Sequence, residues 1–256
     1  MIVFVEPVRT SRTFEAAIEN LLEGIERATL HLDDRLPTEE QLAGQLGISK
    51  PTLRQALRVL ERSGLLRVRA GKGGGIFMNS EVVPVDAITH NVAVEAEDAV
   101  DVLRGRRLLE GAVTVMAAKA ATEEDYAGIE RTIELLARNI GDRPRVMGAN
   151  AMFHRAVIRA CHNKTLQSAM RNIESDLAPI RDSYQGGIEN DRETLEIHQR
   201  QIAAMRSGDK ALASILDEHF RTLEEEFATA LHRRWETLFG EVAEQTLRLG
   251  SPARRS

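Results

Sequence analysis

Residues 36–78 read LPTEEQLAGQLGISKPTLRQALRVLERSGLLRVRAGKGGGIFM, and this stretch decides the architecture of the first third of the chain. Thr38 stands where a helix N-cap belongs, with Gln41 three residues on to complete a capping box and Gly47 to close a short helix. Ser49 caps the next helix, Pro51 falls in its first turn where a missing N–H does no harm, and Gly64 ends it. Between those signals Leu53, Ala56, Leu57 and Leu60 draw one apolar face. LLRVR and GIFM are β patterns separated by the glycine-rich AGKGGG, which predicts a hairpin. Upstream, Phe14, Ile18, Leu21, Leu22 and Ile25 predict a first helix over residues 12–30.

Three helices and a two-stranded wing, with the tight LGIS turn before a basic helix, outline a DNA reader of the winged helix-turn-helix type. Such a helix presents its N-terminal side chains to the major groove, while capped amides and basic residues hold phosphates. Thr38 and Ser49 supply the caps, Lys50, Thr52 and Arg54 stand where contacts are made, and Arg54 can bond a guanine edge bidentately. Lys72 among glycines lets the wing backbone approach the sugar-phosphate chain closely. Charge is placed to match. Residues 1–80 hold 11 Lys+Arg against 10 Asp+Glu, whereas residues 81–256 hold 23 against 29. Residues 50–72 alone carry seven basic residues and one acid, Glu61, a stripe able to meet a polyanion although the whole chain has a net charge of −5. A charged helix beside a hairpin used for protein contact fits the same composition.

Hydrophobic residues at 43% and charged residues at 29% are ordinary for a globular protein, and aromatics at 4% are sparse. One cysteine, Cys161, cannot form an intramolecular disulfide; with no charged-then-apolar leader ahead of the domain, a cytoplasmic location is expected. No apolar run approaches the ~20 residues that cross a bilayer, so no membrane partner is expected.

Beyond residue 97 strand signals vanish. Helical patterns occupy roughly 98–121, 123–139, 143–162, 165–185, 190–207 and 209–236, broken at Thr122, Gly141, Asn163, the glycines at 186 and 187, and Gly208. The expected organisation is mainly α: a winged helix over 1–78, a linker over 79–97, an all-helical bundle over 98–236 and a C-terminal tail over 237–256. In the bundle Asn150 and His154 stand four apart on one helix and can point at one spot, while His198 and His219 lie in later amphipathic segments. Taken singly, each histidine reads best as a core or surface residue, and Asn150 with His154 as a polar i, i+4 pair. His162 and His232 read as surface or helix-end residues, Cys161 as a buried small side chain, and Trp235 as packing.

Residues 12–78 resemble the N-terminal domain of GntR-type bacterial transcription regulators. The resemblance implies a homodimer on a double-stranded operator palindrome, contacted through Ser49, Lys50, Thr52, Arg54 and the wing tip at Gly71. The family usually has an arginine three residues after the proline of its LPSER motif; this chain has Glu40, which repels phosphate and predicts weaker or shifted specificity.

Residues 98–232 resemble the helical ligand-binding domain called FCD, through RGRRLLEGAVTVMAAKAATEED, NAMFHRAVIRACHNKTL and EIHQRQIAAMRSGDKALASILDEHF. Many such domains bind a divalent metal through an Asp four residues before a His and two later histidines, positions matched here by Asn150, His154, His198 and His219. Imidazoles suit zinc or nickel, and open coordination positions suit a carboxylate. Asn150 in place of Asp predicts lower metal affinity and stronger attraction for an anionic effector. Arg106 matches a recurring arginine of the pocket and can hold a small carboxylate effector, or it simply pairs with Glu110 four residues on.

The resulting expectation is a metabolite-responsive regulator, a repressor released by its ligand. Two rivals remain: a metal-dependent hydrolase, which lacks an HExxH motif and an evident general base, and a metal-free sensor of acyl-CoA-like or other apolar ligands.

Overall fold

The computed structural model describes residues 12–28, 30–69, 71, 73–82, 96–184 and 188–249. Its described residues form ten helices and one two-stranded sheet, split between a compact unit over residues 1–88 and a second over 89–256. Much of the expected linker, the double-glycine break, Lys72 and residues 250–256 lie outside the described residues.

In the first unit α1 (Arg12–Arg27) and α2 (Glu39–Leu46) pack on α3 (Lys50–Arg62), which also meets the hairpin of β1 (Leu66–Arg69) and β2 (Gly75–Met78). The caps fall where the sequence puts them. Thr38 and Gln41 form a reciprocal capping box, Gly47 closes α2 at φ 65°, and Ser49 accepts from the Thr52 amide. The α3 face of Leu53, Ala56, Leu57 and Leu60 is buried, as are Ile18, Leu21, Leu22 and Ile25 of α1, the helix that packs on it. The antiparallel hairpin pairs Leu66 with Met78 through Arg69 with Gly75. Residues 33–36 add an unexpected third strip: Leu36 N–H donates to Ile76 O at 2.9 Å and Asp33 N–H to Met78 O at 3.0 Å.

The second unit is a bundle of α4 (Ala96–Ala120), α5 (Glu123–Arg138), α6 (Arg143–Ala160), α7 (Lys164–Tyr184), α8 (Ile188–Ser207), α9 (Leu212–Ala230) and α10 (Trp235–Leu249). Helix α4 runs through the middle, packing on α6, α7, α8, α9 and α10. Its early residues Ala99, Val100 and Leu103 join one apolar cluster with Leu223, Phe227 and Phe239. Its later residues Val113 and Ala117 join another with Phe153, Ile202, Met205 and Leu216. Between these stretches α4 carries Arg106, Arg107 and Glu110, all buried, so a polar layer separates two oily ones.

Two expectations are corrected. The single helix over 209–236 is two: α9 stops at Ala230, and His232 takes a left-handed φ of 54° before α10 begins. The tail expected over 237–256 is, as far as Leu249, the body of α10, with Leu238, Phe239 and Val242 buried in the core. Helix-compatible residues surround the break, and the burial of α10 against α4 and α9 decides it.

Candidate DNA interface and candidate metal centre

In the first unit Lys50 and Arg54 sit on the outer side of α3, and each meets an acid of α2. Lys50 Nζ lies 3.1 Å from Glu40 Oε1, and Arg54 Nε donates to Glu39 Oε2 at 2.8 Å. Both cations are more than half exposed, and exposed pairs of this kind are worth about 0–1 kcal/mol, so a phosphate or a base edge can displace the acids. Ser49 Oγ and Thr52 Oγ1 are 2.8 Å apart at the helix start, beside these cations in sequence. The wing is held from below by Arg35, absent from the sequence-level site: its Nη2 donates to Gly74 O at 2.8 Å and its guanidinium lies 5.9 Å from the Phe77 ring. Gly71 has φ 91°, a left-handed backbone that favours glycine at the turn closed by Gly74 N–H to Gly71 O.

The second unit brings His154 of α6, His198 of α8 and His219 of α9 together, all buried, with potential ligand atoms within 4.8 Å of one another. Their ring centroids are 5.1–5.4 Å apart. Phe153 stacks on His198 at 3.7 Å and 12°, which fixes that ring's plane. Asn150, one turn before His154, is buried and its Oδ1 has no hydrogen-bond partner. Two bonds of about 2.1 Å to one ion limit ligand separation to roughly 4.2 Å, so small side-chain rotations bring the cluster to coordination distance. Three imidazoles with an orphaned amide oxygen therefore fit a divalent ion of the zinc or nickel type.

Arg106 belongs to the same layer. Its Nε donates to Glu110 Oε2 at 2.8 Å, the ion pair that its spacing allows, and its Nη2 donates to His219 Nε2 at 2.8 Å, which brings it into contact with the cluster. Glu110 is the member that the sequence showed only as an ion-pair partner. Its Oε1 lies 2.7 Å from His154 Nδ1, a carboxylate–imidazole contact that sets the ring's tautomer and orientation. Burial pushes the Glu110 carboxyl up, but Arg106, His154 and His219 outweigh it and hold the group well below the usual carboxylate range. His162 ends α6 at φ 50° with Nε2 2.8 Å from Asp125 Oδ2, and Cys161 is buried; neither joins the cluster.

Comparison with known proteins follows the same division. Residues 13–76 match the bacterial regulatory proteins of the gntR family, and residues 101–222 match the FCD domain. The chain is 30% identical to the putative L-lactate dehydrogenase operon regulatory protein of Escherichia coli K12, over 72% of this chain and 74% of the relative. It is 31% identical to the Uxu operon transcriptional regulator of that organism over 54% of each chain, so this match spans about half of the relative's length. It is 28% identical to the Glc operon transcriptional activator over 60% of this chain and 65% of the relative. These relatives and domains are regulators, not enzymes, and no described helix is long and apolar enough to cross a membrane. The chain belongs to the gntR family of bacterial transcriptional regulators, with an FCD domain as its helical unit.

Proposed function

We propose that the chain is a cytoplasmic, homodimeric repressor whose affinity for an operator palindrome falls when a small carboxylate binds beside a divalent metal in the helical unit. The observation that carries this reading is the buried three-histidine cluster with a guanidinium in direct contact. His154, His198, His219 and the amide oxygen of Asn150 would hold the ion, which would supply a positive charge and an open position for an anion. Glu110 orients His154 through Nδ1, so Nε2 is the nitrogen it would offer. Arg106 now donates to His219 Nε2; when that lone pair is engaged elsewhere, Arg106 Nη2 is available to pair with an incoming carboxylate. On the DNA side, Lys50 and Arg54 would leave Glu40 and Glu39 for the operator, with Thr38, Ser49, Thr52, Gly71 and Lys72 supporting phosphate and base contacts. The names of the relatives, among them a regulator of an L-lactate dehydrogenase operon, agree with a small organic acid as effector.

Elemental analysis of untagged protein tests the centre: wild type should carry about one divalent ion per chain and His154→Ala with His198→Ala should carry none. Equal content in the two would sink the metal reading. For the DNA unit, Arg54→Ala should abolish preference for an operator from the protein's own upstream region over random duplex, at a cost of about 1–3 kcal/mol of discrimination.

A further inference from the structure

The exchange proposed for the DNA unit frees two cations and leaves two acids behind, and the acids are not alike. The Glu39 side chain is 31% exposed and pairs with Arg54 Nε, whereas that of Glu40 is 82% exposed and meets Lys50 Nζ at 3.1 Å. Lys50 is the first residue of α3. The ion pair therefore puts the Glu40 carboxylate at the end of α3 where Ser49 and Thr52 also stand, the end whose side chains meet base edges in a helix-turn-helix reader. Once Lys50 turns to the duplex, an exposed carboxylate is left facing a polyanion. The repulsion weakens binding unless a donor on the DNA takes up the carboxylate's lone pairs.

A carboxylate can only accept. In the major groove guanine shows it two acceptors, O6 and N7, and thymine an acceptor and a methyl group; adenine has an amino group but an acceptor, N7, beside it. Cytosine presents an amino donor with no acceptor of its own next to it. We propose that Glu40 is a specificity-determining residue that reads the N4 amino group of one cytosine in each half-site of the operator. This rests on the reading of α3 as the recognition helix. Lys50 offsets the approach: at 3.1 Å from Glu40 it screens the carboxylate until the base is reached, and its own donors then take a phosphate or a guanine edge. At any other base the same carboxylate faces an acceptor, so the acid excludes as well as selects. The capping box of α2 is made by Thr38 and Gln41, so the start of the helix does not depend on the Glu40 side chain.

The test is selection of bound sequences from a random duplex pool by the full-length protein, followed by affinity measurements on the selected operator with each base in turn placed at every position of a half-site. Wild type should require cytosine at one position per half-site, with a loss of about fivefold or more for any other base. Glu40→Ala should bring that ratio toward one at that position and leave the rest of the motif unchanged. Glu40→Gln, whose amide can pair with adenine N6 and N7, should admit adenine there, and as the isosteric variant it carries the comparison if Glu40→Ala melts early. An unchanged motif in both variants, with affinity altered equally for all sequences, makes Glu40 a general electrostatic group and overturns the proposal. A wild-type motif with no fixed cytosine overturns it as well and leaves the reading of α3 standing. Wild type that prefers no sequence overturns that reading and the proposal with it.

Discussion

Arg106 and Arg107 follow one another on α4, and both are shut off from solvent at 2% and 0% exposure, but their surroundings differ. Arg107 has a carboxylate at each of its three nitrogens. Its Nε and Nη2 donate to the two oxygens of Glu224 at 2.8 and 2.7 Å, and its Nη1 donates to Asp217. Glu224 Oε2 also accepts from Trp235 Nε1 at 2.9 Å, so one guanidinium ties α4 to α9 and α10. Burial pulls the Arg107 pKa down, and the two carboxylates outweigh it, so the group stays charged. Arg106, whose guanidinium lies 5.1 Å from the same Phe220 ring that Arg107 approaches at 5.3 Å, faces one carboxylate, a histidine lone pair and a layer holding the orphaned Asn150 oxygen. A buried charge by itself therefore does not mark a site here. An incompletely matched polar set is the better candidate, because a ligand can complete it.

The contrast can be broken at either arginine. Arg107→Met leaves Glu224 buried without its countercharge and should cost about 3–5 kcal/mol of unfolding free energy, measured by urea denaturation, because breaking a buried pair strands the surviving ion. A loss under 1 kcal/mol would mean the network is only decoration. Arg106→Met should cost less, about 1–3 kcal/mol, since Glu110 keeps His154 at 2.7 Å as a partner. That variant should still bind operator but no longer release it when acid is added, which a mobility-shift titration reads directly; an intact response would remove Arg106 from the effector site. The smallest expected change sharpens the unmatched side. Asn150→Asp supplies the missing negative charge and should raise metal affinity about tenfold, on the order of the losses seen when ligand-supporting groups are removed, while weakening the acid's effect. Competition against a chelator measures it, and no change in either quantity would place Asn150 away from the ion.

How much of this was legible depends on how far apart in the chain the interacting groups lie. Thr38 with Gln41, Ser49 with Thr52, and the apolar run from Leu53 to Leu60 are local, and the caps and face appear where their spacing placed them. Arg106 with Glu110 is a four-residue spacing and was readable as a pair, but not its contact with His219, 113 residues away. The break between α9 and α10 was not readable, because residues 231–234 carry no proline or glycine and only the packing of Phe239 and its neighbours demands a turn. The third strip at residues 33–36 and the Arg35 brace under the wing likewise depend on pairing with residues some forty positions on.

The sequence by itself determined the winged-helix outline, the helix caps, the all-helical character of the second unit and the histidines whose grouping a family resemblance suggested. These rest on short-range rules: hydrogen bonds across three or four residues and apolar periods of one or two turns. Only the tertiary structure decided which buried polar groups are matched and which are not. That distinction depends on side chains contributed by helices far apart in sequence, such as Glu224 reaching Arg107 across 117 residues, and no local pattern encodes whether such a partner arrives.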